Sequence, residues 1–269
     1  MAAKGDDDGV LDRSRFVLEF DEDFCGSGLD PGRWVAHYLP QWTTPERSAA
    51  RFDLEPGRLR LRIDVDQPAW RIEDGELRVS NLQTGTASGP LGSPIGPDRH
   101  RPDVTVRTPQ PTRALYTPSS GLVEAVLRAS PEPTCMLAFW LVGFAGIPEQ
   151  SGELCVCELF GDRIGRERSA VNVGVKAHAD PGLHDDVEQM QLDLDAYAWH
   201  TYSVAWTSAE ARFYVDDQLV RTVEQGLDYP QLLLVDLFEF PQGAERDPAA
   251  YPKVGEAAAV RGYRHVHND

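Results

Sequence analysis

Two glutamates stand in an otherwise apolar run of the chain, where carboxylates could carry out acid–base or nucleophilic chemistry. The stretch Gly152–Gly161 reads GELCVCELFG and places Glu153 and Glu158 five positions apart. Burying a carboxylate without a partner is costly, so an apolar strand that holds two of them indicates a site that uses both. The alternative is an edge strand on which both acids lie in solvent.

The spacing of these glutamates predicts an irregularity in the strand. Side chains of a regular strand alternate, so residues an odd number of positions apart face opposite sides of the sheet. A single β-bulge between Cys155 and Glu158 would return Glu153, Cys155 and Glu158 to one face. Two carboxylates about 5–5.5 Å apart would then suit a retaining glycosidase, one as nucleophile and the other as acid/base. Their mutual repulsion would raise the pKa of one carboxyl and keep it protonated as the acid.

Composition and charge exclude several classes of partner. The 269 residues include 26 Lys and Arg against 43 Asp and Glu, which gives a formal net charge of −17. Nucleic acids and anionic membranes attract a positive surface, so this acidic chain predicts neither as a partner. The longest nearly apolar stretch, Met136–Ile147, is too short to span a bilayer.

The N-terminal residues and the cysteines bear on the compartment. Residues 1–10 read MAAKGDDDGV and contain no apolar core of a signal peptide. We therefore expect a cytoplasmic protein, or a secreted one if this sequence is a mature form. The same ten residues are polar and predict a disordered tail. The four cysteines, at positions 25, 135, 155 and 157, match no zinc-binding spacing, so we expect reduced thiols and no metal site.

Short strand-like runs between turn residues make up most of the chain. Leu59–Val65 is apolar at every second position, which is typical of a half-buried strand. Because helical periodicity is scarce, these runs predict an all-β chain folded as an antiparallel β-sandwich or barrel. Asp216–Asp217 lies between two such runs and predicts a two-residue hairpin turn. The other runs are Gly121–Arg128, Met136–Val142, Glu153–Phe160, Val171–Ala177, His200–Trp206, Ala211–Val215, Leu219–Val223 and Leu232–Phe240.

One long segment interrupts this pattern. Thr84–Arg113 is rich in Gly and Pro and includes PLGSPIGPDRHRP. A loop of this length in a compact domain is commonly functional or disordered, so it predicts either a surface excursion or one wall of a cleft. No linker divides the chain, and we expect a single domain over residues 11–269.

Several blocks of sequence resemble glycoside hydrolase family 16, the laminarinase and lichenase family. The signature strand of that family reads E-x-D-x-x-E and contains the bulge described above; here it becomes Glu153-Leu-Cys155-Val-Cys-Glu158. The resemblance implies a concanavalin-like jelly roll, an antiparallel β-sandwich with the long Gly/Pro-rich loop added to it. The further blocks, in the order of the family, are Phe20–Phe24 with Leu29–Trp34, Gly121–Ala125, Ala138–Leu141, and Trp199–Thr207 with Phe213–Asp216.

The resemblance also implies a role for each residue of the motif. Glu153 would be the nucleophile and Glu158 the acid/base of a retaining endo-β-glucanase that hydrolyses β-1,3 or β-1,3/1,4 glucans. Cys155 stands where the family has an aspartate that assists the glutamates, and a thiol is a weak donor without a fixed charge. The alternative is therefore a catalytically impaired carbohydrate-binding jelly roll, or an intracellular protein that uses the cleft for a non-sugar small molecule. A thiolate nucleophile at Cys155 is disfavoured, because the sequence places no histidine to activate it.

Two tryptophans and a histidine are candidates for binding the glycan. An indole ring can stack on the apolar face of a sugar; Trp140 lies on the strand beside the catalytic one in the family, and Trp42 lies in a loop-like stretch. The family often carries a histidine near the position of His178 that helps hold the sugar. Core packing or plain solvent exposure is the alternative for each. We expect no cofactor, although a structural calcium, which many relatives bind, could take oxygens from the acidic turn Asp21–Asp23.

Overall fold

Alternating apolar residues give most of the chain an extended backbone, and the strands pair into two large sheets. The computed structural model describes residues 9–240 and 246–266. Its strands are β1 (Phe16–Glu22), β2 (Arg51–Glu55), β3 (Arg58–Ile63), β4 (Arg78–Gln83), β5 (Gly85–Thr86), β6 (Arg113–Ala114), β7 (Gly121–Arg128), β8 (Cys135–Gly143), β9 (Glu153–Phe160), β10 (Ser169–Lys176), β11 (Asp186–Leu192), β12 (His200–Trp206), β13 (Ala211–Val215), β14 (Gln218–Val223), β15 (Gln231–Glu239) and β16 (Lys253–His265).

Helical structure is confined to single turns. There is one α-helical turn, α1 (Pro45–Ser48), and none of the helices in the described ranges is long and apolar enough to cross a membrane. The 3-10 turns are Arg13–Arg15, Pro40–Trp42, Ile72–Asp74, Pro148–Gln150 and Pro248–Ala250.

The two large sheets are antiparallel and stack face to face. The first runs β14-β13-β12-β7-β16-β3-β2, with β1 also paired to β16, and the second runs β11-β10-β9-β8-β15-β4. Apolar side chains from the inner faces of both sheets form one continuous buried core. This architecture confirms the predicted all-β, antiparallel jelly-roll sandwich.

The six-stranded sheet is apolar on both faces along β8. Leu137 and Phe139 belong to the core between the sheets, whereas Ala138 and Trp140 belong to a second cluster on the outer face. The long Gly/Pro-rich segment folds over this outer face, where its residue Val104 joins the second cluster. The segment is therefore packed against the outer face of the sheet and forms part of one wall of a cleft on that face.

Each run predicted from the sequence is a strand, with shifts of a residue or two at the ends. The strands that were not predicted are β1, β2, β4, β5, β6, β11 and β16. Glu153–Phe160 and His200–Trp206 have the predicted bounds. The run that begins near Leu59 stops at Ile63 and leaves Val65 exposed. At the hairpin turn, Asp216 and Asp217 have φ angles of 48° and 66°, the left-handed backbone that a tight turn of this type requires.

Most of the predicted N-terminal tail cannot be compared with the structure. Residues 1–8 lie outside the described residues, but the last two residues of the predicted tail are paired. The carbonyl of Gly9 accepts a hydrogen bond from the Leu219 amide, and Val10 bridges to Gln218. The single domain over residues 11–269 stays a prediction.

Candidate active site

A bulge in β9 decides which of its side chains face the outer side of the sheet. Opposite β8, Cys157 pairs with Phe139 and Cys155 pairs with Trp140, so Val156 has no partner of its own. The register with β10 shifts at the same place. Val156 and Cys157 consequently both point into the core between the sheets. The bulge that the spacing predicted is confirmed.

The bulge brings the three motif residues together on the outer face. One polar atom from each of Glu153, Cys155 and Glu158 lies within 4.8 Å of the corresponding atoms of the other two. Retaining glycosidases hold their two carboxyl groups about 5–5.5 Å apart, whereas inverting enzymes separate them by about 6.5–9.5 Å to admit a water. The closest approach of the two carboxylates in this site fits the shorter of these separations.

Lys176, which the sequence analysis did not single out, lies between the two carboxylates. Its Nζ atom is 2.8 Å from Glu153 Oε1 and 2.9 Å from Glu158 Oε1. Lys176 ends β10 directly opposite Glu153. The sequence could have indicated that Lys176 belongs to the site, because it lies two positions before the candidate His178 and alternate residues of an extended segment share a face.

Each carboxylate also has a donor of its own. Nε2 of His178 lies 2.8 Å from Glu153 Oε2, and Nδ2 of Asn172 donates to Glu158 Oε2 over 3.0 Å. His178 takes this position with a left-handed backbone, at a φ of 49°. Glu153 is thus held by two cationic or ionisable groups, while Glu158 shares one cation and receives a neutral amide.

The charges around Glu153 favour its ionised form. Burial alone would raise the pKa of this carboxyl, but the Lys176 ammonium and the His178 imidazole outweigh it and hold the pKa below its usual value. Burial opposes the charged form of Lys176 as well, yet Glu153 and the other acidic groups raise its pKa. The pKa of His178 is likewise raised, since its contact with Glu153 exceeds the effect of burial. The resting site therefore contains a carboxylate at Glu153, as a nucleophile requires.

Cys155 is a fully buried thiol. The side chain is inaccessible to solvent, and its Sγ lies 3.5 Å from the carbonyl oxygen of Asn172. Burial and the negative charge of Glu158 raise the pKa of the thiol well above its usual value. A thiolate is the reactive form of cysteine, so this environment disfavours nucleophilic attack by sulfur. All four cysteines are free, as the sequence analysis expected.

An open cleft of about 220 Å³ lies in front of the carboxylates. Trp140 lines it beside the motif and donates its indole N–H to Asp236 Oδ2 over 2.6 Å, which fixes the orientation of the ring. His178 also lines the cleft, so it is part of the site and not a solvent-facing loop residue. The remaining lining residues are Tyr38, Asp98, His100, Met136, Ala138, Lys176 and Phe238.

Trp42 does not contact the cleft, and its predicted role in sugar stacking is wrong. The side chain is 0% exposed and packs in the cluster on the outer face, under the long loop. Its indole N–H donates to the carbonyl oxygen of Pro97 over 2.8 Å. The loop that the sequence shows as a separate segment covers this ring, so no face is left for a sugar.

Neither candidate set of metal ligands fits a resident cation. In the acidic turn, Glu22 is buried and accepts from the Phe24 amide and the Trp34 indole, whereas Asp21 faces the other side of the strand and pairs with Arg261. Glu22 and Asp21 therefore do not converge on one calcium. In the cleft, the Lys176 ammonium already takes the place between the carboxylates where a cation would bind.

Comparison with known proteins supports the fold and the family. Residues 113–241 match the profile described as "Glycosyl hydrolases family 16". A GlcNAcα1-4Gal-releasing endo-β-galactosidase from Clostridium perfringens is similar in structure, with a TM-score of 0.79 and 21% identity over 95% of this chain. The chain spans 63% of the length of that protein. No curated protein matches the chain in sequence.

Laminarinases share the fold over nearly their whole length. The enzyme from Flavobacterium sp. UMI-01 has a TM-score of 0.64 and 18% identity, with 92% of this chain and 100% of that one covered. The laminarinase from Rhodothermus marinus has a TM-score of 0.64 and 20% identity, with 94% and 98% covered. The profile match, the jelly-roll fold and the bulged carboxylate strand all agree with the resemblance of the chain to glycosyl hydrolase family 16.

Proposed function

We propose that this protein is a retaining endo-β-glycanase that hydrolyses β-1,3 or β-1,3/1,4 glucans. One observation carries the proposal: Glu153 and Glu158 lie on the same face of β9, within 4.8 Å of each other, at the floor of an open cleft. Two carboxyl groups at this distance suit a double displacement with a glycosyl-enzyme intermediate. The partner is accordingly a neutral β-glucan polysaccharide or oligosaccharide.

In the first step Glu153 attacks the anomeric carbon. The glycosidic C–O bond breaks, and Glu158 transfers its proton to the leaving oxygen. Glu153 is suited to attack because Lys176 and His178 hold it as a carboxylate. In the second step a water attacks the anomeric carbon, Glu158 accepts the proton from this water, and the ester to Glu153 breaks with overall retention.

Lys176 acts differently on the two steps as a positioning residue. Its ammonium lies 2.9 Å from Glu158 Oε1, and this contact competes with the step that needs Glu158 as an acid. Once Glu153 is esterified, the ammonium has only Glu158 to pair with and stabilises it as the base of the second step. We therefore expect slow cleavage of substrates with poor leaving groups and faster cleavage of activated aryl glycosides.

A second candidate substrate is a β-galactoside-containing glycan. The specific observation in its favour is the higher TM-score to the endo-β-galactosidase than to the two laminarinases described above. A third candidate, a glycan-binding relative without turnover, is favoured by the absence of the assisting carboxylate at Cys155 and by the ion pair of Lys176 with both glutamates.

The test is hydrolysis of laminarin, lichenan and a β-galactan, with the anomeric configuration of the first product followed by NMR. The proposal expects cleavage of a β-glucan with retention, and loss of cleavage in Glu153→Gln. Glu149→Gln, an exposed glutamate in the loop before β9, is the matched control and should behave as wild type. Cleavage of the galactan alone would favour the second candidate. Binding by both wild type and Glu153→Gln with no turnover in either would favour the third.

A further inference from the structure

The long Gly/Pro-rich loop presents one carboxylate to the cleft. Asp98 lines the cleft opposite the sheet, with His178 and Glu153 as the charges that act on it most strongly. Among the described residues, none donates a hydrogen bond to its carboxylate oxygens or forms a salt bridge with it. Glu153 and Glu158, by contrast, each receive two donors. Asp98 is therefore the cleft carboxylate with acceptor capacity left for a ligand.

Buried donors fix the backbone immediately before Asp98. The carbonyl oxygen of Pro97 accepts both the Gln41 side-chain amide, over 3.0 Å, and the Trp42 indole N–H, over 2.8 Å. Gly96 packs so closely on Trp42 that an added Cβ would lie 2.9 Å from the ring. This explains why Trp42 is buried: it anchors the loop that carries Asp98.

The conformation of Asp98 itself is uncommon. Its φ is 47°, in the left-handed region that non-glycine residues seldom adopt, although aspartate and asparagine adopt it more readily than most. The His100 amide donates to the Asp98 carbonyl over 3.0 Å and closes the turn. Residues kept in such conformations by their surroundings occur preferentially at binding and catalytic sites.

The loop contact places Asp98 at the Glu153 end of the cleft. Gly146 lies against the backbone of Gly96, and the segment that contains Gly146 leads directly into Glu153. In the mechanism above, the sugar that becomes bonded to Glu153 occupies this end, and the leaving group lies toward Glu158.

We propose that Asp98 binds hydroxyl groups of the sugar held at the Glu153 end and thereby contributes to substrate specificity. The inference rests on the proposed function. A carboxylate can accept two O–H donors at once, and such charge-assisted bonds are short and strong. Adjacent hydroxyls of a pyranose present two donors in a defined orientation, so Asp98 selects between sugars that differ in the orientation of one hydroxyl.

Asp98→Asn and Asp98→Gly test this role without straining the turn, because asparagine and glycine both adopt a positive φ. Asp103→Asn removes a negative charge from the same loop at an exposed position outside the cleft and is the matched control. Binding is measured by calorimetry with laminaritriose and β-1,4-galactotriose in the Glu153→Gln background, and turnover on laminarin in the otherwise wild-type chain.

The expected result is an increase in Kd and KM of about 10- to 100-fold for both Asp98 variants, with an unchanged melting temperature. Asp103→Asn should leave Kd, KM and the melting temperature as they are. Wild-type turnover with KM and Kd unaffected by both Asp98 variants would overturn this proposal and leave the proposed function standing. Binding that weakens in the Asp98 variants, in a protein whose wild type shows no turnover, would overturn the proposed hydrolysis. It would leave Asp98 as a residue that binds the sugar. Absence of both binding and turnover would overturn both proposals.

Discussion

The two ends of the cleft hold the same functional group in different surroundings. At one end the Glu153 side chain is 6% exposed and contacts two ionisable groups, Lys176 and His178. At the other, Glu158 is 15% exposed and contacts Lys176 together with the neutral amide of Asn172. Since positive neighbours stabilise a carboxylate, the surroundings of Glu153 hold its pKa below the usual value and keep it ionised. Neighbouring donors therefore distinguish two glutamates that the sequence motif presents as a pair.

The largest expected effect comes from removing each carboxylate in turn. Glu153→Gln should lower kcat on β-glucan by at least about 10⁴-fold, because no nucleophile remains. Glu158→Gln should lower it by about 10²–10⁴-fold, the range typical of general acid–base catalysis. On a 2,4-dinitrophenyl β-glycoside, whose leaving group needs no proton, the first step should be restored in Glu158→Gln and not in Glu153→Gln. Equal losses on both substrates would show that the two ends do not differ in role.

Replacing Cys155 by aspartate, the residue of the family motif, should increase the difference between the two glutamates. Cys155→Asp places a carboxyl group beside the two glutamates that can assist them by hydrogen bonding, so we expect an increase in kcat on β-glucan of about tenfold. The rate on the dinitrophenyl glycoside should change little. Because Cys155 is fully buried, the free energy of unfolding should fall by about 1–3 kcal/mol in urea denaturation. An unchanged rate on both substrates would mean that position 155 does not assist the glutamates.

Removing the shared cation should shift the pH profile. In Lys176→Met the two carboxylates lose the ammonium between them, so the pKa of Glu153, which this ammonium helps to lower, rises and the acidic limb of kcat/KM moves to higher pH. The free energy of unfolding should fall by about 1–2 kcal/mol, since two charge-assisted hydrogen bonds are lost. Lys176→Arg, which keeps the charge, serves as the control. A profile that stays in place in Lys176→Met would contradict the role assigned to this residue.

The smallest expected effect is a pH-dependent change in stability at the Glu153 end. The pKa of His178 is raised in the folded protein, so its contribution is complete below the usual histidine pKa of 6.5 and is lost as the pH rises through the folded value. The pKa of Glu153 is lowered, so its contribution is present above its usual value of 4.5 and is lost as the pH falls through the folded value. His178→Gln should therefore destabilise the protein by about 1 kcal/mol near pH 6 and by less at pH 9. Equal destabilisation at both pH values in thermal melts would exclude a charged His178.

Local pattern was sufficient for the bulge and for the strands with a clear apolar pattern, such as β3 and β9, but not for strands such as β4, β11 and β16. The alternation in β3 and the odd spacing of Glu153 and Glu158 both follow from the two-residue period of a strand, which depends on neighbours in sequence alone. The paired aspartates at positions 216 and 217 likewise predicted their turn from backbone preference.

The contacts of Lys176, Trp42 and Asp98 could not be obtained in the same way. Lys176 contacts the glutamates from the neighbouring strand β10. Trp42 is covered by a loop more than fifty residues later in the chain. Asp98 reaches the cleft because hydrogen bonds from Gln41 and Trp42 hold that loop in place. Such long-range contacts depend on which segments pack together, and a lone tryptophan or aspartate has no local pattern that reveals its neighbours.

The amino-acid sequence by itself determined the strands with a clear apolar pattern, the bulge, and the fact that Glu153, Cys155 and Glu158 share one face of β9, because these follow from short-range steric periodicity. The tertiary structure alone decided that Lys176 joins the two glutamates, that Trp42 is an anchor under the loop, and that Asp98 faces the cleft. The physical reason is that charge pairing and burial are set by distances in space between residues far apart in the chain.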